Sequence, residues 1–209
     1  MSTHPSFSKA REEFDKAWHD SAHTLIEPDP VDVNALLQEY YSTSEPLRLT
    51  KTMLWDAEVK KAWDPGIYIP GVVREGESWG RKSLENGEEC FVRASQQRAW
   101  KTGVDDGQVL EEVYLSPDEQ SVLFFGRAEF SRGDGQILRA GSHQPLFHVE
   151  HAVGGTDSHP LNRWRIVHLT AEKDDALIER QSTHAGTAEW LRDFIAIYVE
   201  KDLGIKLTH

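Results

Sequence analysis

PLFHVEHAV (145–153) and NRWRIVHLT (162–170) decide how this chain is read. Both alternate apolar and polar residues with the period of two expected of a half-buried strand. In the first, Phe147, Val149, His151 and Val153 share one face, and His148 and Glu150 share the other. In the second, Trp164, Ile166 and His168 stand opposite Arg163 and Arg165. Pairing the two apolar faces brings His151 and His168 inside together and leaves His148, Glu150, Arg163 and Arg165 outside. A slip of one residue reverses this, because neighbouring side chains point to opposite faces. The slipped pairing buries Glu150, exposes Phe147 and Val149, and groups His148 and Glu150 with His168 instead. The unslipped register is expected, since it keeps the carboxylate in water.

Three more strand-like segments, 90–100, 108–115 and 121–130, precede this pair. Their connections (KTGVDDG, SPDEQ, RGDG, GGTDSHP) are short and rich in turn residues, as in an antiparallel meander. A long amphipathic helix within 184–203 closes the chain, with Trp190, Leu191, Phe194, Ile195 and Tyr198 on one face. Gly204 suits its C-terminal cap, and Ile205 is the apolar residue expected after it. Upstream, 47–55 reads as a strand, Asp56 as the cap of a short helix (AEVKKAW) ending at Asp64-Pro65-Gly66, and 67–74 as extended. Two helices come first. One lies within 6–22, with Phe7, Ala10, Phe14, Ala17 and Trp18 on a face; the other follows an Asp29 cap, with the stripe Val33, Leu36, Leu37, Tyr40 and Tyr41. The chain thus divides into an N-terminal helical arm, 1–44, and a sheet-and-helix domain, 45–209. The arm must dock on the domain's own sheet or on a second subunit, as a homodimer.

At 209 residues the chain can bury a real core. With 23 Lys and Arg against 35 Asp and Glu, its net charge of −12 argues against nucleic acid or an anionic membrane as partner. No apolar run reaches the ~20 residues of a membrane span. The first residues lack the apolar core of a signal peptide, so a cytoplasmic location is expected. Cys90, the only cysteine, excludes an internal disulfide and a Cys-based zinc cluster. Seven tryptophans and eight phenylalanines suit a large aromatic core or an aromatic-lined cavity.

The element order is strand, short helix, run of antiparallel strands and long C-terminal helix. It resembles the START-like or helix-grip superfamily, which includes the polyketide cyclases and the plant pathogenesis-related carriers of hydrophobic ligands. The resemblance covers 47–203 and rests on element order. It implies an α+β fold in which a curved antiparallel sheet wraps the C-terminal helix around a ligand cavity. The helical arm departs from that pattern and keeps a nuclear-transport-factor-like cone, which starts with helices, as the alternative. No signature motif matches residue by residue, so a site must come from the residues themselves.

Alternation assigns the inward faces as Cys90, Val92, Ala94, Gln96, Arg98 and Trp100; then Val109, Glu111, Val113 and Leu115; then Val122, Phe124, Gly126, Ala128 and Phe130. The polar groups turned toward the cavity are then Gln96, Arg98, Glu111, His151 and His168. A buried carboxylate beside imidazoles can serve as general acid or base. The expected catalytic set is His151, His168, Glu111 and Arg98; the expected ligand contacts are Gln96, Trp100, Phe124, Trp164, Trp190 and Phe194. Three readings follow. The first is a cofactor-independent enzyme, of cyclase, dehydratase, isomerase or hydrolase type, acting on a hydrophobic, aromatic or polyketide-like small molecule. The second is a carrier or sensor of such a ligand, favoured if Glu111 is neutralised by Arg98 and the histidines are bonded in the core. The third is a hydrolase or lyase with a metal held by the two histidines and Glu111.

Overall fold

The computed structural model describes residues 6–43, 46–99, 105–132, 135–142, 145–183 and 186–209, with backbone only at 180–183 and 186–188. The elements run α1 (Phe7–Trp18), β1 (Thr24–Ile26), β2 (Val31–Asp32), α2 (Val33–Tyr40), α3 (Lys51–Trp63), α4 (Pro65–Tyr68) and β3 (Val73–Ser83). They continue with β4 (Glu89–Gln97), β5 (Gly107–Ser116), β6 (Ser121–Gly126), β7 (Glu129–Ser131), β8 (Ile137–Arg139), β9 (Phe147–Thr156), β10 (His159–His168), α5 (Asp175–Thr183) and α6 (Gly186–Asp202). The main sheet is antiparallel, in the order β1-β10-β9-β6-β5-β4-β3, with β2 also on β10; β7 and β8 form a separate hairpin. An antiparallel meander with a long C-terminal helix is the α+β helix-grip arrangement expected from the element order. No helix among the described residues is long and apolar enough to cross a membrane.

The register of β9 on β10 is the unslipped one: Trp164 faces His151, Ile166 faces Val149 and His168 faces Phe147. The outer face is nevertheless not in water. Helix α1 lays Phe7, Ala10, Phe14 and Ala17 against Cys90, Tyr114, Leu123, Phe125 and Val167. Burying Phe7 and Phe14 stabilises this docking by roughly 1.5–3 kcal/mol each. Of the two destinations open to the first helix, the structure has it on its own sheet. His148 and Glu150 are consequently buried beneath it, with Glu150 held by Arg11, by Arg165 Nε at 2.5 Å and by Ser121 Oγ at 3.0 Å.

Several expectations need correction. The strand expected over 121–130 ends at Gly126, with Phe130 in the separate β7–β8 hairpin, and the extended stretch expected over 67–74 begins inside α4. Residues 51–63 are helical, with Thr50 rather than Asp56 as cap: its hydroxyl accepts from the Met53 amide, and Leu54, Ala57 and Ala62 are buried at helical spacing. Helix α2 is capped by Asp32 rather than Asp29, through the amides of Asn34 and Ala35. In β4 the parity is reversed. Phe91, Arg93, Ser95 and Gln97 face inward and Cys90 faces α1, because Cys90 pairs with Tyr114 and Arg93 with Glu111. Both faces of that strand are covered, so apolar residues occur on each and alternation loses its power to choose. At the far end, α6 buries Leu191, Phe194, Ile195, Tyr198 and Val199 against α2, α3 and α4, and Gly204 follows with φ of 70°.

Candidate active site

The inner face of the sheet, α3, α6 and the segment after α4 border a partly open cavity of about 80 Å³. Phe124, Phe147, Val149, Trp164, Ile166, Trp190 and Phe194 supply its apolar wall, and Lys61, Arg93, Gln97, Glu111 and His151 its polar groups. Two of those polar groups, Lys61 and His151, meet at Glu58. Helix α3 buries positions 54, 57, 58, 61 and 62, a single stripe on the sheet side. Glu58 and Lys61 occupy the two places in that stripe where apolar residues would ordinarily sit. Neither is in water: Glu58 is 0% and Lys61 2% exposed.

Glu58 is a hub. Its Oε2 lies 2.5 Å from Lys61 Nζ and 3.3 Å from His151 Nδ1, and its Oε1 accepts from Asn162 Nδ2 at 2.7 Å. Burial pushes this carboxyl up, but the Lys61 ammonium and the His151 contact outweigh it and hold the group at about 2. Burial pushes Lys61 down, with Arg93 adding repulsion and Glu58 opposing both. The ammonium nitrogen also lies 4.4 Å from the centroid of Phe194 and 5.5 Å from that of Trp164, so aromatic faces take the place of water around it.

His151 is stacked on Trp164 at 4.9 Å, with an interplanar angle of 21°, and meets Phe124 edge-on at 5.1 Å. Burial and the neighbouring Lys61 bring its imidazole down from 6.5 to about 4, so it is neutral at pH 7. Glu58 Oε2, 3.3 Å from Nδ1, favours the tautomer with the proton on that nitrogen, which leaves Nε2 as the basic one. Glu58 is not part of the cavity wall, whereas Lys61 and His151 are. The carboxylate therefore holds two groups that face the cavity. The Trp164 indole N–H, also buried, has no acceptor among the described residues.

Glu111 forms the second pair, taking a hydrogen bond from Arg93 Nε at 2.5 Å; Arg93 also donates to the Ala62 carbonyl at 3.0 Å and lies 4.5 Å from the Phe124 ring centroid. The expected partner, Arg98, is exposed, as is Gln96, because of the reversed parity of β4. Trp100 lies outside the described residues. Phe124, Trp164, Trp190 and Phe194 all line the cavity. His168 shares the inner face but sits four positions along the strand from Trp164, the residue opposite His151, or about 13 Å away. It is fully buried beside Phe147, away from the cavity wall. The His151, His168 and Glu111 set does not converge, and no three His, Cys, Asp or Glu side chains among the described residues gather to hold a metal.

No protein-family model and no curated protein sequence matches the chain. Among solved structures it is similar to an aromatase/cyclase from Streptomyces sp. R1128, at 9% identity with a TM-score of 0.47, over 85% of this chain and 95% of that one. It is similar to a truncated norcoclaurine synthase from Thalictrum flavum at 10% identity and 0.47, over 87% and 96%. A third likeness is major latex-like protein 151 from Panax ginseng, at 10% and 0.44, over 86% and 94%. At such identities no residue role passes from those proteins to this one.

Sequence reasoning missed Glu58, Lys61 and Arg93. The first two carried a signal: in Leu54, Ala57, Glu58, Lys61 and Ala62 the charges fall inside an i, i+3, i+4, i+7, i+8 stripe. Arg93 carried none, since nothing local distinguishes the two faces of β4.

Proposed function

We propose that this protein binds a compact, hydrophobic carbonyl compound, aromatic or enolisable, in the cavity and moves a proton on it. His151 is the acid/base group and Glu58 its positioning residue. The observation that carries this reading is an imidazole set in a largely aromatic and aliphatic wall, with a buried carboxylate 3.3 Å from its Nδ1. The cavity's charges cancel in pairs, Lys61 with Glu58 and Arg93 with Glu111, which suits a neutral ligand. Its volume of about 80 Å³ is well below the roughly 300–1,000 Å³ of drug-sized sites. That size favours a small ring or short chain over an extended polyketide.

The test is deuterium incorporation at the α-carbon of small aryl ketones in D₂O, followed by NMR. Exchange above the buffer rate, abolished in a folded His151→Phe variant, is the expected result. Exchange equal to buffer, or unchanged in the variant, overturns it. A second reading, a non-enzymatic carrier of the same ligands, draws on the Arg93–Glu111 pair, which removes one carboxylate from proton transfer. Tryptophan quenching by the ketones without exchange would favour the carrier.

A further inference from the structure

We propose that Lys61 is a nucleophile that forms an imine with an aldehyde or ketone bound in the cavity. This rests on the reading of the site as one for carbonyl compounds and deepens it. The argument starts from what α3 does with its inner face. A buried ion pair is often no more stabilising than apolar residues of the same volume, so Glu58 and Lys61 are not explained by stability. They are, however, arranged for chemistry on a carbonyl. The Lys61 amine lines the cavity, a carboxylate that can take its proton lies 2.5 Å away, and an imidazole lies on that carboxylate's other side at 3.3 Å. Desolvation among Phe194 and Trp164 favours the uncharged amine, the form that attacks.

The step balances without an added reagent. Lys61 ammonium passes a proton to Glu58, and the free amine adds its electron pair to the carbonyl carbon while the oxygen takes up that proton. The carbinolamine then loses its oxygen as water, using a second proton from nitrogen relayed through Glu58. The sum is ammonium plus carbonyl giving iminium plus water, with one positive charge on each side. The imine also answers a weakness of His151. An imidazole brought to about 4 is always free to accept a proton but is a poor base. An iminium draws electrons from the neighbouring C–H bond and brings its proton within reach of such a base.

Lys60 is the internal control. It sits one residue away, pointing out, and is held protonated by Asp56 at 2.7 Å and Asp202 at 3.0 Å. The experiment incubates the full chain with benzaldehyde or propanal and sodium cyanoborohydride, maps adducts by tandem mass spectrometry that separates Lys60 from Lys61, and records tryptophan quenching in parallel. One reduced adduct per chain on Lys61, at least about tenfold above Lys60, is expected. The adduct disappears in Glu58→Gln/Lys61→Met, which removes both charges together. Quenching without a Lys61 adduct, or adducts spread evenly over exposed lysines, overturns the imine and leaves the cavity reading standing. Neither quenching nor adduct overturns both.

Discussion

Replacing Glu58 with Gln takes the counter-ion from a buried ammonium and keeps the shape of the side chain. Lys61 then has Arg93 nearby, aromatic faces around it and no anion. Removing one partner of a buried pair costs about 3–5 kcal/mol. For a chain of 209 residues that lowers Tm by about 6–20 °C. The loss shrinks as pH rises, because Lys61, already pushed down by burial, sheds its proton and its cost with it. The acid side runs the other way. Glu58 is depressed from 4.5 to about 2 in the fold, so its contribution is complete above 4.5 and is lost as pH falls toward 2. The variant lacks that acid limb.

The companion Glu58→Gln/Lys61→Met leaves no charge and recovers stability to within about 1 kcal/mol of the wild type, as apolar replacements of buried pairs commonly do. Urea unfolding at pH 5, 7 and 9 reads all three proteins. A single-variant loss under about 1 kcal/mol, or a double variant less stable than the single, refutes the account of Glu58 as the anchor of a buried cation.

His148 and His151 are each lowered from 6.5 to about 4, burial first, so the unfolded chain binds more protons and stability falls as pH drops from 6.5 toward 4. Each histidine contributes on the order of 3 kcal/mol over that interval; His148→Phe should roughly halve the slope, and a flat profile between pH 6.5 and 5 would exclude the idea. Arg93→Leu strands Glu111, which is 2% exposed, and should cost about 3–5 kcal/mol by urea unfolding, with Arg93→Leu/Glu111→Leu recovering most of it. Gly126→Ala places a Cβ 2.5 Å from the Phe147 carbonyl oxygen, where β6 ends against β9, and should cost about 1–3 kcal/mol; a neutral result would mean that the backbone there yields freely.

The sheet was legible because its central strands obey local rules. The 145–153 and 162–170 segments alternate cleanly, their connection is short, and the placing of His151 and Trp164 on one face follows from parity alone. The stripe of α6 and its Gly204 cap were legible for the same reason. What failed depended on distant parts of the chain. The parity of β4 is set by α1, more than seventy residues earlier in sequence, which makes the outer face as apolar as the inner one. The strand reading of 47–55 failed because Thr50 supplies a cap and Leu54 and Ala57 dock on the sheet, a choice that tertiary packing makes. His151 was found by its parity, but its partner Glu58 sits on a helix ninety-three residues away.

The same point separates the two glutamates. Glu111 was singled out because it interrupts an apolar strand face, yet its Arg93 partner lies directly across in register, the ordinary outcome for a charge inside a sheet. Glu58 has no such local explanation. Its three partners come from α3, β9 and β10, and two of them line the cavity. A charge satisfied by its nearest neighbour stabilises a sheet; one that gathers an amine and an imidazole from separate elements fixes their positions relative to each other. The double variant tests whether the fold stands without the second arrangement; a stable double variant leaves the proposed chemistry of the cavity as the reason for it.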